Sequence, residues 1–234
     1  MNKYKRLITT AFNEVYLANN PTIKQSQELA HKFIQDIIQK ARSDFGSEID
    51  EFITQRDKSH KAIMSTTQQE VSSFLSASLV GLPFVKVIAP ASSFSFDLYL
   101  PGESDLDFVV TILNINKEKL AKVAKILQDN GYAFESEHLK GKPDSYHVYQ
   151  HNINGIEIEV KVRDHEHCAR ILKISAFLET YPVESKKPLT YLKKLMKSDK
   201  NTYSKLKYLI YENALYESGW KDSLFGCHIK EGLM

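Results

Sequence analysis

Two aspartates, Asp105 and Asp107, stand one residue apart at the start of the apolar run FVVTIL. If this run is a β-strand, residues at i and i+2 point to the same face, so the two carboxylates project together. Like charges that are close and partly buried repel each other, and a cation between them removes that cost. Hard oxygen ligands suit Mg²⁺ or Mn²⁺, and two such ions suit in-line displacement at phosphorus. The pair indicates a metal site, although D-x-D also occurs in turns and strand edges that bind nothing.

A third carboxylate is available on a second predicted strand. The segment GIEIEVKV, residues 155–162, alternates between acidic and apolar side chains, which places Glu157 and Glu159 on one face. If this strand lies beside the aspartate strand, Glu159 is the first candidate to complete a triad and Glu157 is the second. The alternative is a half-exposed strand whose glutamates face solvent.

The turn before the aspartates is a candidate phosphate site. The segment APASSFSF, residues 89–96, places small residues after an apolar strand, where a short helix could begin. Backbone N–H groups and the hydroxyls of Ser92 and Ser93 could cradle a phosphate there. An ordinary serine-capped turn is the alternative interpretation.

A lysine-rich segment offers further contacts for an anionic substrate. Residues 186–207 hold eight lysines and one acidic residue, with tyrosines between them. Such a segment could grip a triphosphate or an RNA backbone, and a tyrosine could stack on a base. The candidate nucleotide-binding residues are Lys193, Lys194, Tyr203 and Lys207. The alternative is a solvated helix face whose leucines and tyrosines pack inward.

The elements that position these residues follow a helix–sheet–helix order. Apolar spacing predicts helices over 25–41, 66–80, 116–132, 165–181, 188–198 and 202–220, with a break or kink at Gly46. Strands are predicted over 84–90, 104–113, 132–139 and a hairpin at 145–164 that turns at Asn154-Gly155. The fold class is therefore α+β, a mixed sheet core with helical N-terminal and C-terminal flanks. The expected regions are an N-terminal helical region (1–83), a catalytic core (84–165) and a C-terminal helical region (166–234).

Composition sets broad limits on the class of protein. The chain is 42% hydrophobic and 26% charged, as globular domains are, and no apolar run approaches the roughly 18–20 residues of a membrane span. Two cysteines, Cys168 and Cys227, are too few for a disulfide framework, so reduced thiols and a cytoplasmic location are expected. Residues 81–164 carry 9 basic and 12 acidic side chains, whereas residues 165–234 carry 12 and 8. An acidic centre for cations beside a basic flank for an anionic substrate fits this split.

Together these motifs resemble the DNA polymerase β-like nucleotidyltransferase superfamily. They are most similar to its template-independent terminal nucleotidyltransferases, the poly(A) and poly(U) polymerase group. The family pattern is a strand, a Gly-Ser turn and then an acidic-apolar-acidic strand. Here these parts are VKVIAP, Ser92-Ser93 and SDLDFVV, and eleven residues separate Ser93 from Asp105. The sequence LYLPGESDLD, residues 98–107, is also similar to the family motif.

The resemblance implies roles for these residues. Asp105 and Asp107 would hold Mg²⁺ or Mn²⁺, two ions in all, and Glu159 would join one of them. Ser93 would contact the phosphates of an NTP such as ATP. The implied reaction transfers a nucleoside monophosphate to an acceptor hydroxyl, most simply an RNA 3′ end, and releases pyrophosphate. Nucleotidylation of a small molecule or a protein hydroxyl is one alternative, and an inactive relative that only binds nucleotide or RNA is another.

The sequence departs from the family pattern at three positions. Ser92 stands where the family has the glycine of its Gly-Ser pair, and Asp97 stands where a second glycine is expected. Glycine allows positive φ and close approach of backbone to phosphate. Asp97 also adds a negative charge near the expected triphosphate, which requires a cation to offset it. The third carboxylate, Glu159, is a glutamate where aspartate is commoner.

Overall fold

The computed structural model describes residues 2–16, 22–59, 61–102, 105–138, 140 and 145–219. The helices are α1 (Asn2–Tyr16), α2 (Ile23–Ser59), α3 (Lys61–Leu79), α4 (Lys117–Asp129), α5 (Ala169–Thr180), α6 (Val183–Met196) and α7 (Lys200–Glu217). The strands are β1 (Val85–Pro90), β2 (Leu106–Ile112), β3 (Ala133–His138), β4 (Tyr146–Ile153) and β5 (Ile156–Asp164). A 3₁₀ turn over Glu166–Cys168 precedes α5. The predicted α+β class is confirmed.

The chain divides into two compact units. The first comprises residues 1–55 and 173–234 and is helical, and the second comprises residues 56–172 and contains the sheet with α3 and α4. The division into regions 1–83, 84–165 and 166–234 stays a prediction. Among the described residues, no helix combines the length and the apolar content that crossing a membrane requires.

The sheet of the second unit is mixed, with strand order β1-β2-β5-β4-β3. Strand β2 pairs antiparallel with β1 and parallel with β5, so it is an inner strand, as its continuous apolar run predicts. Every residue of β2 except Asp107 is buried. One face of the sheet packs against α3 and α4 in a hydrophobic core that includes Val71, Leu75, Phe108, Val110, Val123, Leu127, Ile158 and Val160. Asp107 alternates with these core residues along β2 and therefore lies on the other face.

The hairpin between β4 and β5 sets the register of the site strand. Asn154 and Gly155 have φ values of +54° and +83°, the positive-φ pair of a type I′ turn, as the Asn-Gly signal predicts. The turn pairs Gln150 with Glu159 across the antiparallel ladder. On the opposite edge of β5, the parallel ladder pairs Glu159 with Asp107. A slip of one residue in either ladder would turn Glu159 to the core face.

Gly131, two residues after the end of α4, is predicted to be sensitive to substitution. Its φ is +89°, and a Cβ there would lie 3.2 Å from the ring of His151. We expect Gly131→Ala to lower the free energy of unfolding by about 2 kcal/mol, because positive φ alone costs about 1 kcal/mol and the contact adds to it. The matched control is Gly155→Ala, which has φ +83° and no atom within 4 Å of the added Cβ. Urea unfolding that shows the smaller loss for Gly131→Ala would contradict this prediction.

Two details of the helical unit differ from the sequence prediction: the start of α6 and the position of the break near Gly46. Helix α6 begins at Val183 rather than at Pro188, which is buried inside the helix. Pro188 is the sixth residue of α6, so it cannot donate the usual helix hydrogen bond to the carbonyl of Glu184. The expected break near Gly46 is a kink at Phe45, whose φ and ψ are −136° and +24°.

Helix α7 is capped by Asp199, which predicts a pH dependence. Its carboxylate accepts hydrogen bonds from the backbone N–H and the hydroxyl of Thr202 and lies 3.0 Å from Lys5 Nζ. The Thr202 hydrogen bonds, with Lys5, lower the pKa of Asp199 from 3.8 to about 2. A depressed folded-state pKa contributes stability above about pH 4 that is lost as the pH falls through about 2. We expect Asp199→Ala to lower Tm at pH 7 and the difference from wild type to shrink across that window. A Tm difference that stays constant from pH 7 to 2 would contradict this expectation.

Candidate metal centre

Three carboxylates converge at the N-terminal end of β2. Asp105 directly precedes this strand, Asp107 is its second residue, and Glu159 lies opposite Asp107 on β5. One carboxylate oxygen from each residue lies within 4.8 Å of the other two, and all three residues are half-buried. Among the residues that the structure describes, this is the one cluster of three or more Asp, Glu, His or Cys side chains with such geometry.

The register separates the two glutamates that the sequence left as alternatives. Glu159 is half-buried, lies opposite Asp107 and belongs to the cluster, whereas Glu157 is exposed and does not belong to it. The geometry therefore brings Glu159, and not Glu157, to the aspartates. Both glutamates share one strand face, so only the pairing with β2 could decide between them.

A lysine that sequence reasoning missed lies among the carboxylates. Lys161 Nζ contacts Asp107 Oδ1 and lies 2.9 Å from Glu159 Oε2. Gln150 Nε2 donates a hydrogen bond of 3.2 Å to the other oxygen of Glu159. The sequence did contain a signal, because Lys161 follows Glu159 by two residues and must share its strand face.

The electrostatics of the cluster favour a positive charge at its centre. Burial raises the pKa of the Asp107 carboxyl, and Lys161 offsets this effect only in part. Burial also opposes ionisation of Glu159, but Lys161 and Gln150 outweigh it and lower the pKa of that carboxyl. Burial acts to lower the pKa of Lys161, and the two carboxylates outweigh it and raise the pKa. The carboxylates thus need a neighbouring cation to remain charged at this depth.

The donor set fits a divalent ion of the Mg²⁺ or Mn²⁺ type. Such ions take carboxylate oxygens at roughly 2.0–2.2 Å, so two oxygens on one ion are separated by at most about 4.4 Å. The three carboxylates of Asp105, Asp107 and Glu159 are within 4.8 Å, so a small side-chain rotation suffices to bring them to one ion. The cluster is compatible with a divalent metal centre, and the number of ions stays a prediction.

The serine turn upstream of the site is ordered by its own side chains. Ser92 is 1% exposed, and its hydroxyl accepts a hydrogen bond from Ser95 N and pairs with Ser95 Oγ. Ser93 is half-exposed, and its carbonyl accepts a hydrogen bond from Leu98 N at 2.8 Å. Residues 92–97 form successive turns rather than the short helix that the sequence suggested. Of the two serines, Ser93 is the one whose side chain is nearer solvent.

Asp97 takes a left-handed backbone conformation. Its φ is +59°, in the left-handed region where glycine carries no steric penalty. Arg56 Nη2 lies 2.7 Å from Asp97 Oδ1, and Arg56 Nη1 donates to the Asp97 carbonyl at 3.0 Å. The guanidinium is 2% exposed and lies 4.4 Å from the centre of the Tyr99 ring. The negative charge that Asp97 introduces is therefore paired with Arg56, which sequence reasoning missed.

The lysine-rich candidates lie in the helical unit, and three of them cluster. The ammonium groups of Lys193 and Lys207 each lie 5.8 Å from the centre of the Tyr203 ring. Lys193 is 2% exposed, while Lys207 and Tyr203 are half-exposed. Lys194 is not part of this group, since its ammonium lies 4.4 Å from the ring centre of Phe52. The assignment of all four residues to nucleotide binding stays a prediction.

The segment HEHC at 165–168 also holds residue types that can bind metals, but two of its side chains are used within the protein. His165 Nδ1 is 3.0 Å from Thr111 Oγ1, and the Cys168 thiol is buried. Burial raises the pKa of Cys168 to about 11, so this thiol is protonated and unreactive at neutral pH. Cys227 lies outside the described residues.

Comparison with known proteins gives similarities of fold. No protein-family profile matches the chain, and no curated protein sequence matches it. Among solved structures, the polymerase core of TRAMP, an RNA surveillance complex, is 22% identical over 70% of this chain and 53% of its own, with a TM-score of 0.47. A structure of the GLD-2/RNP-8 complex is 14% identical over 70% and 63% of the two chains, also with a TM-score of 0.47.

A third similar structure is terminal uridylyl transferase 4 from Trypanosoma brucei with bound dUTP. It is 15% identical over 72% of this chain and 57% of its own, with a TM-score of 0.44. The chain thus spans between 53% and 63% of the length of the three structures. At these identities and TM-scores the similarity concerns the fold alone.

Proposed function

We propose that this chain is a divalent-metal-dependent nucleotidyltransferase. It transfers a nucleoside monophosphate from an NTP to an acceptor hydroxyl, with an RNA 3′ end as the acceptor. The observation that carries the proposal is the convergence of Asp105, Asp107 and Glu159 from two neighbouring strands to within 4.8 Å. Three hard oxygen donors at the solvent end of an otherwise buried strand are suited to a metal-bound triphosphate.

The residues of the cluster have two roles: some bind the metal, and one orients a metal ligand. Asp105, Asp107 and Glu159 supply the metal ligands, and Gln150 fixes the orientation of the Glu159 carboxylate through its hydrogen bond. When bound, Mg²⁺ or Mn²⁺ neutralises the charge that develops on the phosphate oxygens. The acceptor oxygen forms a bond to the α-phosphorus as the bond from that phosphorus to the β-bridging oxygen breaks. Pyrophosphate leaves with its electron pair, and the hydroxyl proton passes to solvent.

Phosphate and acceptor contacts are assigned to two further groups. Ser93 and the backbone of its turn face the triphosphate, while Arg56 holds that turn in shape through Asp97. In the cluster of Lys193, Tyr203 and Lys207, the half-exposed Tyr203 and Lys207 support a nucleic-acid acceptor, because an ammonium group beside a tyrosine ring suits a phosphate backbone and a stacked base. Lys193 is buried and is assigned to the support of Tyr203. Lys194, whose ammonium lies beside Phe52 and outside this cluster, is assigned to a separate phosphate contact.

The test is label transfer from NTPs that carry a labelled α-phosphate. Incubation with Mg²⁺ or Mn²⁺ and a pool of short RNAs should lengthen the RNAs with labelled nucleotides, and EDTA should stop the reaction. Label on a small hydroxyl compound or on protein would replace the RNA acceptor by another one. Nucleotide binding without any label transfer would overturn the enzymatic proposal and favour a binding module.

A further inference from the structure

The position of Lys161 bears on how a divalent ion enters the carboxylate cluster. Its ammonium contacts Asp107 Oδ1 and lies 2.9 Å from Glu159 Oε2, so it bridges carboxylates from two strands. These are two of the three side chains that the proposed function assigns to metal. The ammonium thus lies where one ion would have to share the same oxygens.

A divalent ion and this ammonium cannot both lie on Asp107 Oδ1 and Glu159 Oε2. An ion of this kind sits at roughly 2.0–2.2 Å from its oxygens, inside the space that the ammonium takes at hydrogen-bond distance from them. Two positive charges at such separation also repel strongly in a half-buried site. Occupation of these two oxygens by one cation therefore excludes the other.

The lysine has the freedom to leave. Its side chain is 26% exposed, so it has a path toward solvent. Its neighbours in the strand ladders are Val109 on β2 and Val148 on β4, apolar residues along which the four-carbon stem can lie. The ammonium of lysine is a compact charge on a flexible side chain, unlike the planar guanidinium of arginine, which binds a carboxylate through two hydrogen bonds.

We infer that Lys161 is a built-in competitor for the divalent ion. Its ammonium holds Asp107 and Glu159 together until the ion enters, and it moves off the pair as the ion binds. This inference rests on the proposed metal-dependent function and names the residue that sets the ion affinity of the site. Lys161 is a positioning residue for the carboxylates and not a ligand.

The test is Mn²⁺ affinity in Lys161→Met, which keeps the length of the side chain and removes its charge. Calorimetric titration should give a Kd at least about tenfold lower for Lys161→Met than for wild type, a change of about 1.4 kcal/mol. Lys161→Arg, which keeps the charge, is the matched control and should bind Mn²⁺ no more tightly than wild type. Equal or weaker binding by Lys161→Met would overturn the inference.

Thermal unfolding gives a second readout that does not depend on activity. In EDTA, Lys161→Met should have a lower Tm than wild type, because the carboxylates lose their shared cation. Mn²⁺ should then raise the Tm of the variant by more than it raises that of wild type. If Lys161→Met does not fold, Lys161→Gln, which keeps a hydrogen-bond donor, takes its place in both measurements. Equal Tm values in EDTA would contradict a role for the ammonium in holding the carboxylates.

The outcomes separate this inference from the proposed function. If wild type binds Mn²⁺ and labels RNA while removal of the lysine charge leaves the affinity unchanged, only the inference on Lys161 fails. If neither wild type nor the variants bind Mn²⁺ at millimolar concentration, the metal-dependent function and the inference both fail.

Discussion

Replacing Asp107 with asparagine should lower kcat/KM for nucleotidyl transfer by about 10³-fold or more. The carboxylate faces Glu159 across the β2–β5 ladder and belongs to the cluster whose oxygens lie within 4.8 Å. Loss of a metal ligand removes several kcal/mol of transition-state stabilisation, and about 4 kcal/mol corresponds to about 10³-fold in rate. The measurement is the initial rate of label transfer from NTP, wild type against Asp107→Asn.

The matched control for this prediction is Glu157→Gln. Glu157 lies two residues before Glu159 on the same strand face, but it is exposed and lies outside the cluster. The loss of one negative charge at Glu157 should therefore leave the rate within about twofold of wild type, since substitutions of exposed residues outside the cluster have small effects. Circular dichroism should show that both variants are folded. An Asp107→Asn enzyme with more than a tenth of wild-type activity would rule out a metal-ligand role for this residue.

Replacing Arg56 with methionine should give the largest loss of stability among these predictions, about 3 kcal/mol in the free energy of unfolding. The guanidinium is buried, makes two contacts with Asp97 and packs over Tyr99. Breaking a buried ion pair costs roughly 3–5 kcal/mol, and the partial exposure of Asp97 places this pair at the lower end. Urea unfolding of wild type and Arg56→Met measures the difference.

A double-mutant cycle with Asp97→Gly isolates the pair. Glycine relieves the φ of +59° but removes the carboxylate that faces Arg56, so the single variant should lose less stability than Arg56→Met. The loss in the double variant should be smaller than the sum of the two single losses by about 1–3 kcal/mol, as for residues in direct contact. Additivity within about 0.5 kcal/mol would show that the two residues do not depend on each other.

The sequence predicted those parts of the fold that depend on local pattern. The period of two along β2 places Asp105 and Asp107 together, and the Asn-Gly pair fixes the hairpin that carries Glu159. The choice between Glu159 and Glu157 was beyond the sequence, because it depends on the parallel register between β2 and β5. That register results from the packing of the whole sheet, and no local sequence motif predicts it.

Residues brought in over long distances were missed for a related reason. Arg56 reaches Asp97 across 41 residues of chain, and no spacing rule connects a helix end with a turn in the sheet unit. Lys161 is different, because its i+2 relation to Glu159 was visible in the alternation of β5. The role of Lys161 was not predicted, because a basic residue in an alternating acidic segment is ordinarily assigned to solvent. The helical unit, formed from both ends of the chain, likewise could not be read from sequence order.

The most direct test of the metal-centre assignment is a crystal structure with Mn²⁺ and a non-hydrolysable NTP. The anomalous signal of Mn²⁺ should lie roughly 2.0–2.2 Å from carboxylate oxygens of Asp105, Asp107 and Glu159, with the triphosphate on the same ion. A Mn²⁺ signal elsewhere, or a bound triphosphate with the three carboxylates free of metal, would contradict the account.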